Sequence, residues 1–118
     1  MSLEPAERVT AERSLKAGDG CLNEAGHLPA VLLVELMAQV CGLLIDDTCS
    51  AGGDYAVLAG IKRMHMHDTA HAGETVQVSG RLSRRLGDVY LVECRARAAS
   101  RELAHGSLQI RRVRGSRP

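Results

Sequence analysis

Hydrophobic residues are distributed along this chain in two ways. In one dense run, from Pro29 to Ile45, only Glu35 and Gln39 carry strongly polar side chains. Elsewhere apolar and polar residues alternate. The dense run predicts a long helix. Proline suits its first turn, where the missing N–H would have no partner anyway, and the helix is expected to end near Asp46. Glu35 and Gln39 are four apart and so share a face. A helix that is apolar all round is normally buried, so both are expected inside. A buried carboxylate without a partner is costly and tends to mark a functional site.

The alternating stretches predict strands. Val9, Ala11 and Leu15 alternate with Arg8, Thr10, Glu12 and Ser14, with Arg13 intruding on the apolar face, which suggests a half-exposed strand over 7–16. Ala17-Gly-Asp-Gly20 reads as a turn, and 21–28, with Gly26 and His27, as an irregular connection. After the helix, 47–54 is a loop containing Gly52 and Gly53. Four runs follow, over 55–67 (bent or interrupted at Gly60), 74–85, 89–99 and 102–113. Ala72-Gly73 separates the first two. Gly87-Asp88 lies between two alternating runs, a hairpin signal. The ends, 1–5 and 114–118, are expected to be disordered. One strand, one long helix and three or four antiparallel strands describe a single two-layer α+β domain over 1–118. A sheet would wrap part of the helix, and a second copy of the chain could cover more.

Composition narrows the ligand classes. The 118 residues carry a net charge of +1, and the aromatic residues are Tyr55 and Tyr90, with no Phe or Trp. The core must therefore be built from Val, Leu, Ile, Met and Ala. Without a strongly basic surface or an aromatic stacking platform, no nucleic-acid partner is expected. Cys21, Cys41, Cys49 and Cys94 form no CxxC pair or regular framework. The first residues show no charged segment followed by an apolar run, so no signal peptide is expected. A reduced, cytoplasmic protein is expected. A run of about 17 residues that contains Glu35 and Gln39 is a core helix rather than a membrane span.

The segment Gly26-His-Leu-Pro-Ala-Val-Leu-Leu-Val-Glu-Leu-Met-Ala-Gln-Val-Cys-Gly42 resembles the helix segment of hotdog-fold 3-hydroxyacyl-[acyl-carrier-protein] dehydratases, whose pattern is approximately Pro-Gly-Val-Leu-x-x-Glu-x-Met-Ala-Gln-x-x-Gly. Leu58-Ala-Gly-Ile-Lys-Arg63 and Ala72-Gly-Glu-Thr75 resemble that family's next strand and its Pro-Gly-Asp turn. The matches keep their order across 7–113. The chain is more similar to the shorter dehydratase-like branch of aryl-polyene and related polyketide pathways, where Leu-Pro precedes the helix directly. The family's catalytic His lies well upstream of the Glu, whereas His27 precedes Glu35 by only eight positions. The resemblance implies a hotdog fold in which a curved antiparallel sheet wraps a long central helix. It further implies a homodimer, a thioester substrate on the phosphopantetheine of acyl carrier protein or coenzyme A, and no bound cofactor.

Dehydration of a 3-hydroxyacyl thioester needs a base beside the carbonyl, an acid for the departing hydroxyl and donors for the enolate oxygen. The resemblance gives Glu35 the acid role, and desolvation on a buried helix would favour its neutral form; a carboxylate bonded to nearby backbone is the structural alternative. His27 could transfer protons near neutral pH, in the family across the dimer interface to the other subunit's Glu, or be an exposed loop residue. Gln39 could orient Glu35 or satisfy a sheet carbonyl. The stripe Glu35, Ala38, Gln39, Gly42 could border an acyl tunnel or admit a strand backbone. The N–H groups of Ala30 and Val31 at the helix start are candidate donors to the thioester oxygen, and Gly60 a point of close ligand approach. His65, His67 and His71 raise a metal reading, but His71 lies past a bend and no fourth ligand is evident, so no metal is expected. Lys62, Arg63, Arg84, Arg85, Arg111 and Arg112 could meet an acidic carrier protein or simply be solvated. A thioesterase on the same fold, or a non-catalytic acyl-binding subunit, are the rival functions.

Overall fold

The computed structural model describes residues 8–49 and 55–113. The expectations for the two chain ends and for the centre of the 47–54 loop lie outside the described residues. The elements run β1 (Arg8–Ser14), α1 (Ala30–Cys49), β2 (Tyr55–Met66), β3 (Thr75–Leu86), β4 (Val89–Ala98) and β5 (Arg101–Val113). Each strand end falls within two residues of its sequence expectation. The helix continues three residues past Asp46.

The five strands form one antiparallel sheet in the order β1-β3-β4-β5-β2. β3, β4 and β5 are a meander with two-residue turns. Leu86 pairs with Val89 across Gly87-Asp88, and Gly87 takes a φ of 60° at the first turn position, where a hairpin of this twist needs glycine. Ala98 pairs with Arg101 around Ala99, the non-glycine residue with positive φ (56°) among those described. β1 and β2 add to opposite edges, and α1 crosses one face of the sheet between them, touching all five strands.

Period-2 burial on the strands and period-3.6 burial on the helix meet in the core. Val76 and Val78 of β3, Val92, Cys94 and Ala96 of β4, and Ala104, Leu108 and Ile110 of β5 face Leu33, Met37, Cys41 and Ile45 of α1. Small residues set the spacing. At Gly80 a Cβ would lie 2.9 Å from Cys41 Sγ and 3.3 Å from Val9 Cγ1, so only glycine lets the helix settle there. Gly106 has the same role between strands, because a Cβ on it would collide with the carbonyl of Arg63 on β2. The Cys41 thiol is pushed far up by its side-chain hydrogen bond with Cys94 and by burial. Cys94 Sγ also lies 3.9 Å from the Met37 carbonyl. Both are free, inert core thiols.

The sheet covers one side of α1 and does not enclose it. Opposite the buried face, Val31, Glu35, Gln39 and Leu43, spaced at i, i+4, i+8 and i+12, form an exposed stripe; Val31 retains 72% of its accessible surface and Leu43 48%. The expectation of burial on every side is corrected by this stripe. Apolar density alone could not distinguish a face covered by the same chain from one left open.

Candidate active site

The exposed stripe brings Glu35 and Gln39 to the mouth of a groove of about 120 Å³. Its walls are Leu15 at the end of β1, Leu28 before the helix, and Leu32 and Leu36 on α1. Its polar members are Arg13, Cys21, Glu35 and Gln39. Gln39 Nε2 donates to Glu35 Oε2 at 3.4 Å, the one-turn contact that their spacing allows. Glu35 is exposed within this chain, which corrects the expectation that it is buried. Arg13 and Cys21 were not anticipated at this site, although they lie together, with Arg13 Nη2 3.7 Å from Cys21 Sγ. The intrusion of Arg13 on the apolar side of β1 was the available signal.

The connection before α1 is a fixed structure. Asn23 Oδ1 accepts from the N–H of Ala25 (3.0 Å) and of His27 (2.9 Å), folding 23–27 around one side chain. The Leu28 N–H donates to the Ala70 carbonyl and the Ala72 N–H to the Gly26 carbonyl, both at 2.8 Å. His27 and His71 are thereby bridged, with ring centroids 5.8 Å apart. His27 is exposed and faces His71; it is not part of the Glu35 groove.

This loop pairing is held by an ion cluster. Arg101 places Nη1 2.6 Å from Glu74 Oε2 and Nη2 2.9 Å from Glu74 Oε1, a two-pronged pair, with Nε 2.7 Å from Asp68 Oδ2. The Arg101 hydrogen bonds hold the Glu74 carboxyl down at about 2, against some burial and with help from the His71 N–H.

Ala30 lines a second cavity, of about 310 Å³, with Leu28, Leu33 and residues Met66 to Thr69. Val31 lies beside it on the open stripe. Gly60 is elsewhere, at a register shift on β2, where a Cβ would lie 3.1 Å from Gln109 Oε1. The close approach there is by a side chain of this protein. Val31, Glu35 and Gln39 therefore share one side of the helix, Ala30 borders the separate cavity, and His27 and Gly60 stand apart from the groove. No described helix is long and apolar enough to cross a membrane.

No family model and no curated protein matches the chain. Solved structures do. A variant of the fluoroacetyl-CoA-specific thioesterase FlK in complex with fluoroacetate and CoA superposes with a TM-score of 0.78 at 17% identity, over 92% of this chain and 93% of that one. A thioesterase superfamily member from Thermus thermophilus gives 0.76 at 12% identity, over 91% and 81%. The dehydratase heterocomplex ApeI:P from Xenorhabdus doucetiae gives 0.77 at 17% identity, over 94% and 77%. The chain has the hotdog fold. At such identities the likeness speaks for architecture, and the chemistry has to be argued from the residues.

Proposed function

We propose that the protein is an enzyme acting on a short-chain acyl thioester, that the reaction is hydrolysis, and that Glu35 is the base. The observation carrying this reading is a carboxylate, steadied by Gln39, at the rim of an apolar groove on a hotdog helix. The acyl group would lie between Leu15, Leu28, Leu32 and Leu36. Glu35 would take a proton from water as the water oxygen attacks the carbonyl carbon. The N–H groups of Ala30 and Val31 would stabilise the oxyanion, and collapse, with the proton on Glu35 passing to the leaving sulfur, would release a carboxylic acid and a thiol. The solved thioesterases of the same architecture support hydrolysis. The carrier would be phosphopantetheine, on coenzyme A or acyl carrier protein.

Dehydration of a 3-hydroxyacyl thioester is the second reading. It is supported by the Glu-x-Met-Ala-Gln match and by the dehydratase among the structural neighbours. It would require His27 of a second copy to reach Glu35, because His27 faces His71 in its own chain. A homodimer is part of both proposals. Tyr55, Leu58, Ile61 and Met66 on edge strand β2, with Val31 and Leu43 on α1, are large exposed apolar residues that a second copy would cover. Light scattering that gives only the 12.6 kDa monomer at micromolar concentration would remove it.

The enzyme is tested by incubation with acetyl-CoA and with a 3-hydroxyacyl thioester, following thiol release and enoyl absorbance together. Thiol release is expected, with kcat/KM lowered by a factor of about 100 or more in Glu35→Gln. Enoyl product without thiol would replace hydrolysis with dehydration. Turnover of neither substrate, or full activity in Glu35→Gln, would overturn the role given to Glu35.

A further inference from the structure

Neither reading uses the cluster at the β2–β5 edge of the sheet, where three donor atoms converge. His67 Nε2 lies 2.9 Å from His105 Nδ1, His105 Nδ1 lies 2.8 Å from Glu102 Oε2, and His67 Nε2 lies 3.7 Å from that same oxygen. At 2.9 Å only one of the two facing ring nitrogens can carry a proton. The other nitrogen and the carboxylate oxygen are left as lone-pair donors sharing that single hydrogen.

The backbone builds this convergence. Residues 102 and 105 would fall on opposite faces of a regular strand. Here Leu103 and Ala104 are consecutive and both fully buried, and the β4–β5 register slips between Ala96 and Arg97. That bulge turns Glu102 onto the face of His105, the re-aiming that bulges provide. His67 follows β2 directly and is anchored by its own N–H on the Leu103 carbonyl at 2.8 Å. The His105 ring stacks on His65 and on His67, at centroid distances of 5.0 and 4.9 Å.

We propose that His67, His105 and Glu102 form a binding site for a divalent transition-metal ion of the zinc type, with the remaining coordination open to solvent. Two ligand atoms on a tetrahedral zinc stand roughly 3.3 Å apart, and the three observed separations bracket that value. The donor set, two imidazoles and one carboxylate, selects zinc, nickel or copper over magnesium or calcium. The surroundings sharpen that selection. Arg95 Nε lies 3.5 Å from Glu102 Oε2 and opposes an ion held by charge alone. The side chains keep 43% (His67), 38% (His105) and 32% (Glu102) of their surface accessible, so an ion can enter from water.

This site differs from the one suggested by the His65, His67 and His71 spacing. His71 belongs to the loop pair with His27, and two of the three donors, Glu102 and His105, come from β5. The test is calorimetric titration of the full chain with zinc chloride and with magnesium chloride. One zinc per chain and no magnesium binding are expected. His67→Ala, His105→Ala and Glu102→Gln should each weaken zinc by at least about tenfold, since even outer contacts to metal ligands are worth that much. His71→Ala should stay within about twofold of the parent. Far-UV circular dichroism checks that each variant is folded, and His105→Gln replaces any that is not. A visible cobalt spectrum of tetrahedral type should form with the parent and be lost with His105→Ala. Absence of zinc binding, zinc retained undiminished by His105→Ala, or zinc lost with His71→Ala would overturn the assignment.

Discussion

Replacing Gly80 with alanine tests how α1 is seated on the sheet. The new Cβ would lie 2.9 Å from Cys41 Sγ, 3.3 Å from Val9 Cγ1 and 3.4 Å from Val92 Cγ1. The first distance is shorter than any relaxed contact, and Cys41 is completely buried, so its sulfur has nowhere to turn. Overpacking of this kind costs about 2 kcal/mol. In a domain of this size that corresponds to a melting temperature lower by about 8 °C at fixed protein concentration. Cys41→Ala alone removes one buried sulfur and should cost about 1 kcal/mol. If the clash is with that sulfur, the double variant should be no worse than Cys41→Ala by more than about 0.5 kcal/mol, a clear departure from additivity. Urea unfolding of the four proteins measures the cycle. An additive double variant, at about 3 kcal/mol, would refute the contact, as would a Gly80→Ala protein of parental stability.

Two further outcomes are expected. Gly106→Ala sets a Cβ against the backbone of Arg63, with Met64 Cα 2.8 Å away, and backbone cannot rotate aside. It should cost about 3 kcal/mol or more by urea unfolding and disturb β2 in hydrogen exchange; a neutral result would mean that β2 can shift along β5. Glu74 is held down at about 2 from an ordinary 4.5, so its contribution to stability is complete above pH 4.5 and is lost as pH falls from there toward 2. Glu74→Gln should therefore flatten the acid limb of unfolding free energy over that window while leaving its shape near neutrality unchanged; an acid limb as steep as the parent's would remove Arg101 as the cause.

Strands β3 and β4 were legible because each buries one face, so their periodicity is written in residues such as Val76, Val78, Val92 and Ala96. The turn at Gly87-Asp88 was legible because its backbone requires glycine. Three features were not, each because it depends on pairing between distant segments. The open stripe on α1 contains Val31 and Leu43, which look like core residues until the sheet's reach is known. The Arg101 clamp joins β5 to the loop before β3. The metal-type cluster needs both the β2–β5 register and a bulge at Leu103. Of the proposed groove, Glu35 and Gln39 stood out as polar residues in an apolar run. Cys21 and Leu28 reach it through the irregular connection, which carries no periodic signal.

The strand order has a kinetic consequence. Among the described residues β1 pairs with β3 and β2 with β5, so neither of the first two strands finds its sheet partner until β3 or β5 has followed. The meander β3-β4-β5 closes through two-residue turns and can form on local contacts, whereas both edges wait for long loop closures. During synthesis the apolar face of α1 therefore emerges well before the surface that buries it. A nascent chain halted near residue 74 would expose Leu33, Met37, Cys41 and Ile45 to water. It would be a target for chaperones or for aggregation until the meander follows.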